Sequence, residues 1–248
     1  HNHDTPIYGL LPRNPKEPRY KIDLANAGVK MQGKSILIFG YGGRFSLAIE
    51  LLRLGAAHIV LVDKFAPPDD AHNLGLLPLN EQYLKEEQGC VTPRPEWITL
   101  IEQDILSEEV RSAISQVDIL LSSSVYEHLD EVESITKSLA TLTKPEGIQL
   151  HYVDLRDHYF KYPFEMLCYS ENLWYGWLNP SSNHNRYRVW DYKKAFEQYF
   201  SDVNLIVTER DEAAFEVIRP RIRSEFMRGD LAEDSVPLIK VIARQPKL

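Results

Sequence analysis

Residues 36–45 read ILIFGYGGRF. An apolar run passes straight into Gly40, Gly42 and Gly43, and Arg44 then stands where many nucleotide-binding loops place one more glycine. The run SILIF (35–39) is short, apolar and bounded by turn signals, which predicts a buried strand. Beyond the glycines, RFSLAIELLRLG (44–55) sets Phe45, Ala48, Ile49 and Leu52 at helical spacing and stops at Gly55. A strand, a glycine turn and a helix form a ligand position in an open parallel sheet. Glycine lets a ligand approach the backbone, and the first N–H groups of the helix have no partner within it. Taken alone, the cluster is a weak signal, and a tight turn that holds nothing is the lesser alternative.

Working outward, HIVLV (58–62), WITLIEQD (97–104), VDILLSSS (117–124) and GIQLHYVDL (147–155) read as further strands. SEEVRSAI (107–114), with Ser107 as its cap, and LDEVESITKSLATL (129–142) read as helices between them. This alternation predicts a mostly parallel, Rossmann-like sheet with helices on both faces. APPDDAHNLGLLPLNEQ (66–82) reads as a loop, long enough to be functional. Residues 1–33, rich in Pro, Asn and Gly, read as an arm with a short helix near 24–31; residues 34–248 form one domain. After residue 157 aromatics become dense, which marks an inserted cap at about 158–188. A helix (189–200), a strand (203–209), a helical stretch broken at Pro220 (212–226) and a final strand (236–244) complete the pattern.

Composition narrows the classes. The chain has 248 residues, 44% of them apolar and 26% charged, ordinary values for a globular protein with a sizeable core. A formal net charge of −8 disfavours a nucleic-acid partner. No apolar run approaches the roughly 20 residues that span a bilayer, and the first residues lack the apolar stretch of a signal peptide. Cys90 and Cys168 are too few for a disulfide framework or a Cys-only zinc site. They read as buried free thiols in a reducing compartment, and a cytoplasmic location is expected.

The strand ends carry the chemistry. Asp63 closes the second strand, 20 residues after Gly43, where a carboxylate can accept hydrogen bonds from a ribose diol. Asp104 closes the third, where a carboxylate can accept from an adenine amino group. This pair suits several adenosine-bearing ligands. A dinucleotide fingerprint would need a glycine at Phe45, which weakens an NAD reading. The cadence of residues 40–63 also fits the adenylating fold of ubiquitin-activating-type enzymes, but the two cysteines supply no paired CxxC motifs.

Taken together, GYGGRF, VLVD, EQDI and VDILLSSSVYEHLDEVESITKSLATLTKPEG resemble, in order and spacing, the motifs of class I S-adenosylmethionine-dependent methyltransferases. DLRDHYF and NRYRVWDY resemble a bacterial small-molecule branch with D-L-R-D-H and N-R-h-R motifs; the resemblance covers roughly 34–245. It implies a seven-stranded sheet with the last strand antiparallel, and S-adenosyl-L-methionine as cofactor. It places Gly40, Tyr41, Gly42 and Gly43 along the methionine and ribose, Asp63 at the ribose hydroxyls, Asp104 and Ile105 at the adenine, and Ser122 and Ser123 near the methyl donor. Ile38, Arg44 and Glu146 depart from the family pattern, which carries an acid at the first position and glycines at the other two.

Methyl transfer is an in-line displacement that depends on positioning and dehydration, and some acceptors also need a base. His158, beside Asp154, is the candidate base. His128, Tyr159 and Trp174 are candidate acceptor contacts, and the cap aromatics predict a small-molecule acceptor that is apolar or aromatic in part. His151 reads as a core residue and His184 as an exposed one. No metal is expected. Two other readings stand beside methyl transfer: an NAD(P)-dependent oxidoreductase, from the Rossmann-like first half, and a non-catalytic cofactor-binding or interaction domain, from Ile38 and Arg44.

Overall fold

The decisive run Ser35–Phe39 forms β1, and its alternation divides the core. Ile36 and Ile38 join one apolar cluster, Leu37 and Phe39 the other, so both faces of the sheet are covered and the strand reads as continuously apolar. The computed structural model describes residues 19–160, 162–181 and 183–247. The seven-stranded sheet contains β1, β2 (His58–Val62), β5 (Ile98–Ile101), β6 (Val117–Ser123), β7 (Thr143–Asp154), β8 (Phe200–Glu209) and β9 (Leu238–Pro246). The remaining strands, β3 (Leu84–Glu87) and β4 (Cys90–Pro93), form a separate antiparallel hairpin.

The sheet order is β5-β2-β1-β6-β7-β9-β8. The first five strands in this order pair in parallel, and β9 runs antiparallel to both of its neighbours, as the resemblance implied. Strand order reverses at β1, with β2 on one side and β6 on the other. A crevice therefore opens beyond the carboxyl ends of these strands.

Helices α1 (Arg19–Asn26) and α2 (Ser46–Arg53) cover one face. Helices α4 (Glu108–Ser112), α5 (Val132–Thr141) and α7 (Val189–Tyr199) cover the other. The Ser107 hydroxyl accepts from Val110 N, the cap expected from the sequence. α1 lies earlier than the predicted 24–31, and packs Tyr20 and Leu24 into the core while Asp23 pairs with Lys240 at 2.7 Å. Residues 1–18 of the predicted arm fall outside the described residues.

Two corrections concern the stretch after β2. Residues 66–82 are not a plain loop: they contain α3 (Asp70–Leu76) and a 3-10 turn at Leu77–Leu79. Asp69 supplies the start signal by accepting from His72 N, while Pro67, Pro68 and Gly75 hide the pattern. The β3–β4 hairpin was not foreseen either, and it leaves Cys90 exposed rather than buried; Cys168 is half-buried.

The aromatic-rich segment folds around its own small core. Phe164, Met166, Leu167 and Trp174 pack with Phe215, Ile218 and Ile222. Its short α6 (Glu171–Leu173) runs into a π-turn at Trp174–Leu178. The last three come from α8 (Glu212–Ile218) and the turns after it, where Pro220 ends the helix as predicted. Arg188, fully buried, donates to the carbonyls of Asp234 and Val236, next to α9 (Leu231–Asp234). Asn185 donates to the carbonyls of Tyr126 and Leu129. The NRYR stretch thus ties the cap to the sheet.

Candidate functional site

A cleft of about 640 Å³ opens at the carboxyl ends of β1, β2, β5 and β6. That lies within the ~300–1,000 Å³ usual for small-molecule sites. A second depression of about 770 Å³ lies on the outer side of α5 and α7, around Trp190, Lys193 and Arg228. It touches none of the strand ends, so the first cleft is the candidate site.

The glycine loop forms one wall. Gly40 and Gly42 line the cleft, and Gly42, at φ +66°, has open space where a Cβ would point. Gly43 is turned away and crowded. A Cβ there would stand 2.4 Å from the Pro67 carbonyl oxygen, and its φ of +78° is itself costly for other residues. α3 grips this part of the loop. The Gly43 carbonyl accepts from Asp69 N at 2.8 Å and from Asn73 Nδ2 at 2.9 Å, and Phe45 N donates to Asn73 Oδ1 at 3.0 Å. Arg44 pairs with Asp69 at 3.2 Å, which accounts for a charged residue at this position. Tyr41 is buried and stacks on Phe45, outside the cleft lining; burial, with Glu102 and Asp63 nearby, pushes its hydroxyl up to about 12.

Asp63 is the hinge of this wall. Oδ2 accepts from Gly42 N at 3.1 Å, and Oδ1 from Phe65 N and Ala66 N, both at 2.9 Å. A carboxylate has about four acceptor positions, so this one can order two loops and still accept a further donor. On the facing wall, Asp104 Oδ2 takes Lys64 Nζ at 2.7 Å and Oδ1 takes Leu106 N at 2.9 Å. The bond from Lys64, with that from Leu106, holds the Asp104 carboxyl below its ordinary range. Buried Ile105 and exposed Phe65 supply apolar surface beside it. Lys64 and Phe65 went unnoticed in the sequence, although they follow Asp63 directly.

The far end lies beyond β6 and β7. Ser124 and Val125 line the cleft, rather than the predicted Ser122 and Ser123. Ser122 is buried and bonded to His151 Nδ1 at 2.7 Å, while His151 Nε2 meets Gln149 Oε1 at 2.9 Å. His151 is thus a satisfied core residue, and burial pushes it down to about 3. Ser123 is still within the strand, paired with Tyr152. Ser124 has φ +53°, a left-handed turn that carries the chain out of β6 toward the cleft.

His128 lines the cleft, and its ring lies 5.3 Å from that of His158. His158 Nε2 stands 3.6 Å from Asp154 Oδ2, and Arg156 grips the same carboxylate at 2.6 Å. Burial pushes Asp154 up, but His158 and Arg156 outweigh it and hold the group at about 2. His158 itself is not on the cleft wall; His128 stands between. His184 is a correction: it is 1% exposed, its ring 4.6 Å from His158, and burial pushes it down to about 4. The cap folds over it, and Trp174 Nε1 donates to its carbonyl. Glu127 was missed altogether. It is fully buried behind the cleft, accepts weakly from Asp154 N at 3.4 Å, and leaves Oε2 without a partner. Burial first, then Asp154, pushes it up to about 8.

The cap aromatics do not line the cleft among the described residues. Trp174 is fully buried in the cap core, and Tyr159 is 58% exposed against Phe160. The phenylalanines that line the cleft are Phe39, largely buried in the core, and exposed Phe65. Among the described residues no group of three or more His, Cys, Asp or Glu is placed to hold a metal ion, and no helix is long and apolar enough to cross a membrane.

No protein-family model matches the chain, and no curated protein matches it significantly. Solved structures do. An S-adenosylmethionine-dependent methyltransferase from Mesorhizobium loti is 14% identical, with 91% of this chain and 97% of that one covered at a TM-score of 0.51. The 1,6-didemethyltoxoflavin-N1-methyltransferase of Burkholderia thailandensis, solved with 1,6-didemethyltoxoflavin and S-adenosylhomocysteine, is 12% identical, covering 92% and 76% at 0.51. At such identity the likeness concerns the fold: the chain has the Rossmann-like fold of S-adenosylmethionine-dependent methyltransferases.

Proposed function

We propose that this protein transfers a methyl group from S-adenosyl-L-methionine to a small-molecule acceptor. One observation carries the reading. The cleft gathers Gly40, Gly42, Asp63, Asp104 and Ile105 on its walls, while α3 occupies the amino end of α2 where a dinucleotide would place its pyrophosphate. The donor set suits an adenosine without phosphates. Asp63 would hold the ribose hydroxyls, Asp104 the adenine amino group at an acceptor position that Lys64 and Leu106 leave free, and Ile105 and Phe65 the ring faces. Gly40 and Gly42 would lie along the ribose and methionine, with Tyr41 and Gly43 supporting the loop from behind.

The cofactor supplies a methyl group on a sulfonium, delivered in line to the acceptor. The chain's part is to orient the acceptor and exclude water. Ser124, His128, Asp130, Ser181 and Asn183 line that end of the cleft and give it a polar character, so the acceptor carries polar groups besides any apolar part. Where the acceptor must lose a proton, we assign its acceptance to the cleft-lining imidazole of His128, in ring contact with His158, which Asp154 orients.

Calorimetric titration with S-adenosylhomocysteine, NADH and ATP tests the cofactor reading. S-adenosylhomocysteine should bind, and the two phosphate-bearing ligands should not. Binding of NADH alone would return the chain to the oxidoreductase reading. Binding of S-adenosylhomocysteine without turnover of any acceptor would favour a non-catalytic domain.

A further inference from the structure

Building on the cofactor reading above, we propose that Asn73 is a specificity-determining residue: through it, α3 closes the amino end of α2 to phosphate groups and sets the glycine loop for a nucleoside cofactor that lacks them. α3 lies in the segment that the sequence showed only as a loop, and Asn73 is its single buried residue.

Its amide is matched to the loop at both ends. Oδ1 accepts from Phe45 N, and Nδ2 donates to the Gly43 carbonyl. A side chain with one donor and one acceptor in a rigid fork serves both groups; Asp would set an acceptor against a carbonyl, and Leu would leave Phe45 N unpaired and the Gly43 carbonyl with Asp69 N alone. The N–H that it takes is at the start of α2, among the groups that elsewhere bind phosphate. The surrounding contacts act the same way. Asp69 N shares the Gly43 carbonyl, the Pro67 carbonyl abuts Gly43, and Ser46 Oγ meets His72 Nε2 at 2.8 Å. Asp69 adds a negative charge beside the loop, and the His72 N–H, with Arg44, holds its carboxyl below the ordinary range. A phosphate there would meet a filled space and backbone groups that are already bonded.

Asn73 does not lie on the cleft wall. It is a positioning residue that acts through Gly43 and Phe45, so its loss should register on the part of a ligand that the glycine loop holds. The test is calorimetry on wild type, Asn73→Ala and the volume-conserving Asn73→Asp. The ligands are S-adenosylhomocysteine, 5′-methylthioadenosine (which lacks the amino-acid end) and NADH. Wild type should bind the first two and not NADH. Both variants should lose about ten-fold or more in affinity for S-adenosylhomocysteine, because Ala leaves Phe45 N unpaired and Asp sets an oxygen against the Gly43 carbonyl. Their loss for methylthioadenosine should be at least three-fold smaller. Leu74→Ala, on the exposed side of α3, should change neither. A general loss of packing would weaken both ligands equally, and that result overturns the proposal. So does an unchanged affinity in folded variants, or NADH binding to wild type. If neither Asn73 variant folds, Asp69→Asn, on the exposed side of the same clamp, should lower the preference for S-adenosylhomocysteine by about two- to three-fold; an unchanged preference contradicts the proposal. Failure of wild type to bind S-adenosylhomocysteine would overturn the cofactor reading itself, a result distinct from losses confined to the variants.

Discussion

The two ends of the cleft are built on different principles. At the glycine-loop end, backbone groups and short carboxylates make the wall, and each is anchored by a neighbour close in sequence or on the next strand: Asp63 to Gly42, Asp104 to Leu106. At the β6–β7 end, side chains from distant segments meet. His128, His158 and His184 lie within 6 Å of one another, centroid to centroid, yet are separated by up to 56 residues in the chain (184 − 128). The first end is dictated by local chain geometry. The second depends on how the cap folds, and it carries the buried titratable groups. Adenosine-sized ligands should therefore depend on the first end and acceptor chemistry on the second, and variants can separate the two.

The largest effect should come from the cap. Trp174→Ala empties the centre of the cap core and should cost about 3–5 kcal/mol of stability in denaturant unfolding. Because Trp174 is remote from the glycine loop, S-adenosylhomocysteine affinity should stay within about two-fold; a large loss would mean that the ends are coupled. Next in size, Asp63→Ala should weaken S-adenosylhomocysteine by about a hundred-fold, from charged hydrogen bonds of ~1.5–3 kcal/mol each. His158→Ala should leave that affinity within about two-fold and lower turnover once an acceptor is found. Unchanged binding after Asp63→Ala, or lost binding after His158→Ala, would reverse the division of labour.

Glu127 gives a pH-dependent test. Its folded-state pKa is raised to about 8 by burial, so the folded chain retains a proton that the unfolded chain releases near pH 4–5. Its stabilising contribution is complete below that ordinary range and disappears as pH rises through 8. Glu127→Gln removes this dependence. At pH 8.5 the variant should be more stable than wild type, by on the order of 2 kcal/mol, and the gap should close toward pH 5. A gap that does not vary with pH would show that Glu127 is paired in solution. The smallest effect belongs to Arg44→Ala. It removes an exposed ion pair and should change stability by less than about 0.5 kcal/mol, although Arg44 marks the most visible departure in the loop.

How much could be read beforehand follows the same division. The strand runs, the glycines and Asp63 and Asp104 were legible because their positions depend on periodicity and on strand ends. Even there the reading slipped by two residues at β6, where the left-handed turn at Ser124 carries the cleft past Ser122 and Ser123. Ile38, where the resemblance implied an acid, packs into the α1–α2 core layer. Asn73 was invisible, since its partners lie 28 and 30 residues away and its helix hides behind Pro67 and Pro68. His184 looked exposed in a polar loop, and Trp174 looked like an acceptor contact. Both are inside because the cap closes on itself, a packing outcome with no periodic signature.

The most direct test of the central claim is a crystal structure of the chain with S-adenosylhomocysteine. The ribose hydroxyls should lie on Asp63, the adenine between Phe65 and Ile105 with its amino group on Asp104, and α3 should still be bonded to Gly43 and Phe45 through Asn73. A ligand bound elsewhere, or one that displaces α3 to place charged groups on the amino end of α2, would contradict it.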